Sequence, residues 1–383
     1  MILFNKPFVP AVSIEYCNKV LTGIHQQGDG IFTEQVQDKL EEIMQGGKTL
    51  LTPSCTHALE MASMLIDLKP GDEVILPSFT FTSAALAITK FGATPVFVDI
   101  DRDTKGINVQ EVMKAITPRT RAISWVNYAG VPPRLKEIVA LAKSYDLFLI
   151  EDNAHGLGGG FLDEPLGTVG DFSTHSFHAT KNFQCGEGGS LTVNNSDLVE
   201  RAMIIREKGT DRRKFLKGEV QKYQWIEKGS SYLLAESLAA ILLGQLEMFS
   251  WIQGQRAELW EKYFDFFQNR VESRYFRLPF QPVGVKNSSH MFYLEFASPT
   301  ERSAFSSAAT KNGIQTTFHY VPLHSSLGGV KYGTSLGNFE NTNSVSSTLL
   351  RFPMYPNMDG NLWDQLTKTW DLYVQTSPSI IQD

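Results

Sequence analysis

The sequence predicts an α/β protein with a large, mainly parallel sheet covered by helices, followed by a smaller α+β unit. Three observations carry this. Short apolar runs alternate with helical patterns through the first half of the chain, as in sheets buried on both faces. Turn signals such as "KPGDE" separate them. Beyond about residue 233 the texture changes to one long helical pattern and then strand-like segments.

The elements follow in order. "TLLTPS" reads as a short strand, and "THALEMASMLIDL" has apolar residues at helical spacing. "EVILPS" is a strand, "TFTSAALAITKFG" a helix ending at Gly92, and "TPVFVDI" a strand. "NVQEVMKAI" is a helix, "RAISWVNYAG" a strand, "RLKEIVALAKSYD" a helix and "LFLIEDNAH" a strand. "DFSTHSF" and "GGSLTVN" are two further strands. The helical stretch from "LLAESLAAILL" to "DFFQNRV" is expected to break near Gly254. "HMFYLEFA" and "IQTTFHYVPLH" read as strands, and the polar "GTSLGNFENTNSVSS" as a loop. The expected division is a large domain over residues 1–245 and a small one over 246–383.

Bulk properties narrow the function classes. A chain of 383 residues, 42% hydrophobic and 20% charged, can bury a large core unaided. Its net charge of −6 gives no general attraction to nucleic acid or an anionic membrane. Cys17, Cys55 and Cys185 are scattered and form no CxxC pair, so neither a disulfide framework nor a zinc site is expected. The N-terminal "MILFNKPFVP" lacks a signal-peptide pattern. No apolar run reaches the roughly 20 residues of a membrane span, and a cytoplasmic location is expected.

In parallel sheets, ligands bind at the carboxyl ends of the strands. Ser54 to Thr56, Phe79 to Phe81, and Asp152 all fall at such ends. Asp152 serves either as a cap or as a carboxylate for a cationic ring nitrogen. Lys181 stands between "HSFHAT" and a glycine-rich run. It is either a surface lysine or an amine that forms a Schiff base with an aldehyde cofactor, for which a lowered pKa is needed. Pyridoxal phosphate uses such a lysine with an Asp on its ring nitrogen. "PSCTHALE" supplies hydroxyls and a helix N-terminus for a phosphate, or a plain N-cap. Ser176 adds a hydroxyl, and Phe79 or Phe81 offers a flat wall. No GxGxxG follows the early strands, and "GLGGGF" has the wrong spacing, which argues against a dinucleotide oxidoreductase.

With these residues assembled, the chain resembles the DegT/DnrJ/EryC/StrS sugar-nucleotide aminotransferases, a fold-type I group dependent on pyridoxal 5′-phosphate. The resemblance runs nearly end to end, through "GDGIFTEQV", "LLTPSCTHALEMA", "GDEVILPSFTFTSAA", "EDNAHG", "GTVGDFSTHSFHATKN", "GEGGSLTVN", "REKGTDR" and "FHYVPLH". It implies Lys181 as the Schiff-base lysine and Asp152 as the partner of the pyridine nitrogen. Phe81 would stack on the ring. Cys55, Thr56 and Ser176 would serve the phosphate, and Ser231 would reach it from the second subunit of a homodimer. His319 and Tyr320 would line the sugar end. His155 stands where the family usually has Gln, near the cofactor's phenolic oxygen, and a histidine there introduces titration near neutral pH. Cys55 replaces a common glycine. Related dehydratases carry His in place of the lysine; here Lys181 is present and His178 does not take its place.

The implied reaction moves an amino group from L-glutamate to a keto-sugar nucleotide. "GSSYLLAE", where most members have Gly-x-Asn-Tyr, brings the chain nearest to members that convert dTDP-4-dehydro-6-deoxy-D-glucose to dTDP-4-amino-4,6-dideoxy-D-galactose. Such members usually serve bacterial lipopolysaccharide or other surface-glycan synthesis. Amination at C3, the other C4 configuration, another nucleotide, or a non-catalytic regulator on the same fold stay open at this level.

Overall fold

The computed structural model describes residues 1–270, 275–358 and 360–377. Seven strands form the main sheet: β1 (Lys48–Thr52), β2 (Glu73–Pro77), β3 (Thr94–Val98), β4 (Thr120–Val126), β5 (Phe148–Asp152), β6 (Phe172–Ser176) and β7 (Gly189–Val193). Their order is β1-β7-β6-β5-β4-β2-β3, with the two-residue strand Thr334–Ser335 extending the β3 edge. Every neighbouring pair from β3 across to β6 is parallel, and β7 runs antiparallel between β6 and β1. Strands β2 and β7 are buried at every position, which accounts for the apolar run Val74–Leu76 of β2.

Helices cover both faces. On one, Cys55–Leu65, Thr82–Thr89 and Val199–Arg206 pack against Leu50, Leu76, Ile150 and Leu191 of the sheet. On the other, Val109–Ala115 and Leu135–Tyr145 cover Ile75, Val98, Ile123 and Leu149. Asn108 caps the first of these by accepting from the Gln110 and Glu111 N–H groups.

A second core lies in the C-terminal part. Rings from Tyr263, Phe267, Phe276, Phe292, Phe305 and Phe352 pack together beside the antiparallel strands Phe276–Arg277, Tyr293–Phe296 and Leu349–Arg351. Ile2 belongs to this core and bridges to Ile314, so the start of the chain is bound into its last third.

Three sequence expectations differ from the structure here. The long helix breaks at Met248, between Glu236–Glu247 and Phe249–Gln268, not near Gly254. Met248 has φ −95° and ψ 19°, and its N–H is taken by the Gln245 and Leu246 carbonyls in a tightened last turn. A Cβ on Gly254 would meet open space, so that glycine weakens the helix without breaking it. The segment "IQTTFHYVPLH" makes only isolated bridges and a short 3₁₀ turn. The polar stretch read as a loop contains the helix Glu340–Thr348. Its poor intrinsic propensity is offset by a cap from elsewhere: Asp99 accepts from the Asn341 and Thr342 N–H groups at 3.1 and 2.8 Å.

Candidate active site

The carboxyl ends of β1, β2, β4, β5 and β6 and the start of β7 meet at one edge of the sheet. They open there into a cavity of about 560 Å³. The same cavity takes His290, the 318–321 segment and Arg351 from the C-terminal part. It gathers Cys55, Thr56, Phe81, Asp152, His155, Ser176, Lys181, His319 and Tyr320. Ser231 is not among its walls; it is exposed and bridges to Glu207 through its backbone.

Lys181 sits on an excursion between β6 and β7. The excursion is closed by Phe177 N–H to the Gly188 carbonyl (2.8 Å), Ala179 N–H to Gly186 (2.9 Å) and Cys185 N–H to Phe177 (2.9 Å). This clamp holds the lysine at the cavity wall. Burial pulls its pKa down to about 8, helped by the Arg351 charge and opposed by Asp152 and Cys55. The amine is therefore much closer to neutral at physiological pH than an ordinary lysine.

Asp152 ends β5 and accepts the Ala154 N–H at 3.1 Å. Burial raises its pKa, while that N–H and Lys181 pull it down. Behind it, Glu151 is fully buried and accepts from Asn127 Nδ2 and Gly167 N–H, both at 2.7 Å. Asn153 donates to the Leu166 carbonyl at 2.7 Å. These satisfied polar groups fix the strand end and with it the direction of Asp152.

The helix Cys55–Leu65 begins at the cavity. Ser54 caps it, accepting from His57 N–H at 3.2 Å. The Cys55 and Thr56 N–H groups at its first turn have no carbonyl behind them, which makes this end an anion site. Thr56 Oγ1 and Ser83 Oγ are 2.7 Å apart. Gly189 passes so close that an added Cβ would lie 2.3 Å from the Cys55 nitrogen; only glycine leaves this cradle open. Burial pushes the Cys55 thiol pKa up, so it lies there as a neutral thiol.

The structure separates the two aromatic candidates. Phe79 is fully buried against Tyr128 and Tyr320, with ring centroids at 5.2 and 5.4 Å. Phe81 lines the cavity with 58% of its surface uncovered, free to lie against a flat ligand ring.

His155 stacks on His290 at 4.5 Å and is parallel to His319 at 6.0 Å. Its Nε2 is 3.4 Å from the Tyr320 hydroxyl, and its Nδ1 is buried with no partner. Burial first, then the Lys181 and Arg351 charges, hold its pKa well below the ordinary histidine value. Burial beside two cations favours the neutral imidazole, the opposite direction to the titration near neutral pH that the sequence suggested. Sequence reading missed His290 and Arg351. The first donates from Nδ1 to Asn182 Oδ1 at 2.9 Å. The second had one available signal, a lone charge inside the apolar "TLLRFPMYP".

The donor set fits pyridoxal phosphate: an anion cradle, an uncovered aromatic, an unpartnered buried imidazole nitrogen, a strand-end carboxylate and a lysine of lowered pKa. Fold and site together fit an enzyme that uses this cofactor. The sequence profile of the DegT/DnrJ/EryC1/StrS aminotransferase family matches residues 11–369, and the chain belongs to that family. Protein MJ1066 of Methanocaldococcus jannaschii is 34% identical over 366 residues, 93% of this chain and 94% of its own. The aminotransferase TlmJ from Streptoalloteichus hindustanus is 26% identical with a TM-score of 0.89, covering 98% of this chain and all (100%) of its own. Spr1654 from Streptococcus pneumoniae, in its PMP form, shares the fold at 24% identity and a TM-score of 0.89 over 98% of this chain and 100% of its own. Among the described residues no helix is long and apolar enough to cross a membrane.

Proposed function

We propose that the chain is a sugar-nucleotide aminotransferase that takes an amino group from L-glutamate and gives it to a keto-sugar nucleotide. The acceptor we favour is dTDP-4-dehydro-6-deoxy-D-glucose, yielding dTDP-4-amino-4,6-dideoxy-D-galactose. The observation that carries the aminotransferase reading is Lys181, its pKa pulled down to about 8, in one cavity with Asp152 and the open helix N-terminus. The sugar specificity rests on "GSSYLLAE" and the "FHYVPLH" wall.

Pyridoxal phosphate supplies an electrophilic carbon and an electron-accepting ring. The chain's residues do the rest. The Cys55 and Thr56 N–H groups, with the Thr56 and Ser176 hydroxyls, would bind the phosphate. Phe81 would cover one ring face. Asp152 would keep the ring nitrogen protonated. His155, accepting from Tyr320 at Nε2, would offer Nδ1–H to the phenolic oxygen. Lys181 would hold the cofactor through Nζ and, as a free amine, would move the proton as base and then acid. Ser231, exposed on this chain, completes the phosphate site of a second copy in a homodimer.

The test is an absorption spectrum of the purified holoenzyme. L-Glutamate is expected to abolish its visible band, and a keto-sugar nucleotide to restore it. A panel differing in base and keto position then identifies the acceptor. Lys181→Ala is expected to lose turnover by on the order of 10⁴-fold, the upper range of a positioned acid–base. Normal kcat in that variant would refute the assignment.

A further inference from the structure

Residues 1–8 run as a strap between two sides of the cavity. At its start the Ile2 N–H donates to the Gly313 carbonyl at 2.7 Å, and the Ile2 carbonyl accepts from Gln315 N–H at 3.0 Å. The Phe4 N–H donates to Gln315 Oε1 at 2.9 Å. This end is thereby fixed to the segment that leads into the 318–321 wall. Further along, Asn5 Nδ2 donates to the Ala179 carbonyl at 2.9 Å. The Phe8 carbonyl accepts from Gln184 Nε2 at 3.0 Å and from Gln245 Nε2 at 2.6 Å. Ala179 and Gln184 stand on opposite sides of Lys181 in the excursion between β6 and β7. The two limbs beside the lysine are held differently. After it, Asn182 is buried and donates to the Ser288 carbonyl at 2.8 Å, while its Oδ1 accepts from His290. Before it, Thr180 is exposed. Among the described residues, the Asn5 amide makes the one hydrogen bond that reaches the 178–180 limb from outside the excursion.

We propose that Asn5 is a positioning residue for Lys181: its amide ties down the outer limb of the excursion and, through the strap, sets the reacting amine in register with the C-terminal wall. The inference rests on the aminotransferase reading and adds a residue that acts through the lysine. Asn5 itself is not among the cavity walls. The tie matters most while the amine is free, because only the excursion then holds it in place. A reacting group moved by about 1 Å loses rate on the order of 100-fold, whereas one half-buried hydrogen bond adds little to the stability of the whole fold. Asn5 therefore weighs more on the chemical step than on folding. Substrate affinity, set by the walls and not by the limb, is left nearly unchanged.

Two readouts on Asn5→Ala separate a positioning role from a stabilising one. In the full chain without cofactor, hydrogen–deuterium exchange of the 177–188 amides is expected to rise on the order of 10-fold, with the strands of the main sheet unchanged. In the holoenzyme, the rate at which saturating L-glutamate removes the visible band is expected to fall on the order of 10-fold, while the half-saturating glutamate concentration stays within about twofold. Asn5→Gln, which keeps the amide on a longer arm, is expected to recover part of both effects. Unchanged exchange in the excursion, exchange raised throughout the chain, or a shift in half-saturation with the rate intact overturns the proposal. Should Asn5→Ala not fold, Asn5→Leu fills the same space without the donor and is read in the same way. A wild-type holoenzyme whose band ignores L-glutamate refutes instead the aminotransferase reading itself.

Discussion

The C-terminal aromatic core and the wall of the cavity are both built from packed rings, and they differ in what happens at the rings' polar tips. In the core, Tyr263 donates to the Pro353 carbonyl at 3.1 Å, Tyr373 to Glu301 at 2.6 Å and Trp260 to Met291 at 3.2 Å. In the wall, His155, His290, His319 and Tyr320 stack at comparable separations. There His155 Nδ1 and Arg351 Nε are left buried without partners. A closed hydrogen-bond inventory marks rings that only hold the fold. An open one, in a cavity, marks rings waiting for a ligand.

The comparison breaks most visibly at Phe267, fully buried among Phe276, Phe292, Phe305 and Phe352. Phe267→Ala is expected to cost about 3–5 kcal/mol of stability. KM for both substrates should stay unchanged in whatever protein remains folded, as denaturant melts and steady-state kinetics would show. A changed KM would mean that the core is not energetically separate from the wall.

Asp152→Asn tests the opposite corner. It keeps the shape and removes the charge, so folding should survive while kcat falls on the order of 100- to 1000-fold. Thermal melts and single-turnover rates on the cofactor-loaded protein separate the two effects.

His155→Gln is the smallest change. It keeps a donor near the phenolic oxygen, and one exchanged hydrogen bond is worth about 1 kcal/mol, a several-fold effect. Because the His155 pKa lies well below its ordinary value, the ring carries no second proton to lose as pH rises through neutrality. The kcat profiles of variant and wild type should therefore be parallel between about pH 6 and 8. A wild-type inflection near 6.5 that the variant lacks would show that His155 titrates after all.

Much of this site was legible in the chain because parallel-sheet strands announce themselves as short apolar runs, and ligand groups follow their ends. Asp152 after "LFLIE" and Ser54 after "TLLT" are found that way. The lysine needed more, since a lone lysine before glycines has no period to read; the ordered set around it supplied the meaning. The helix Glu340–Thr348 was illegible for the reverse reason, its cap residue Asp99 lying far away in sequence.

The sequence by itself determined the alternation of strands and helices, the identity of the chemical groups and the family they belong to, because these follow from local period and residue type. Only the tertiary structure decided that Phe81 faces the cavity while Phe79 is core. It alone decided that His155 is held neutral, and that Arg351 arrives from the far end of the chain with no carboxylate of its own among the described residues. Burial and unpaired charge are properties of what surrounds a residue in space, and a linear order of side chains does not contain them.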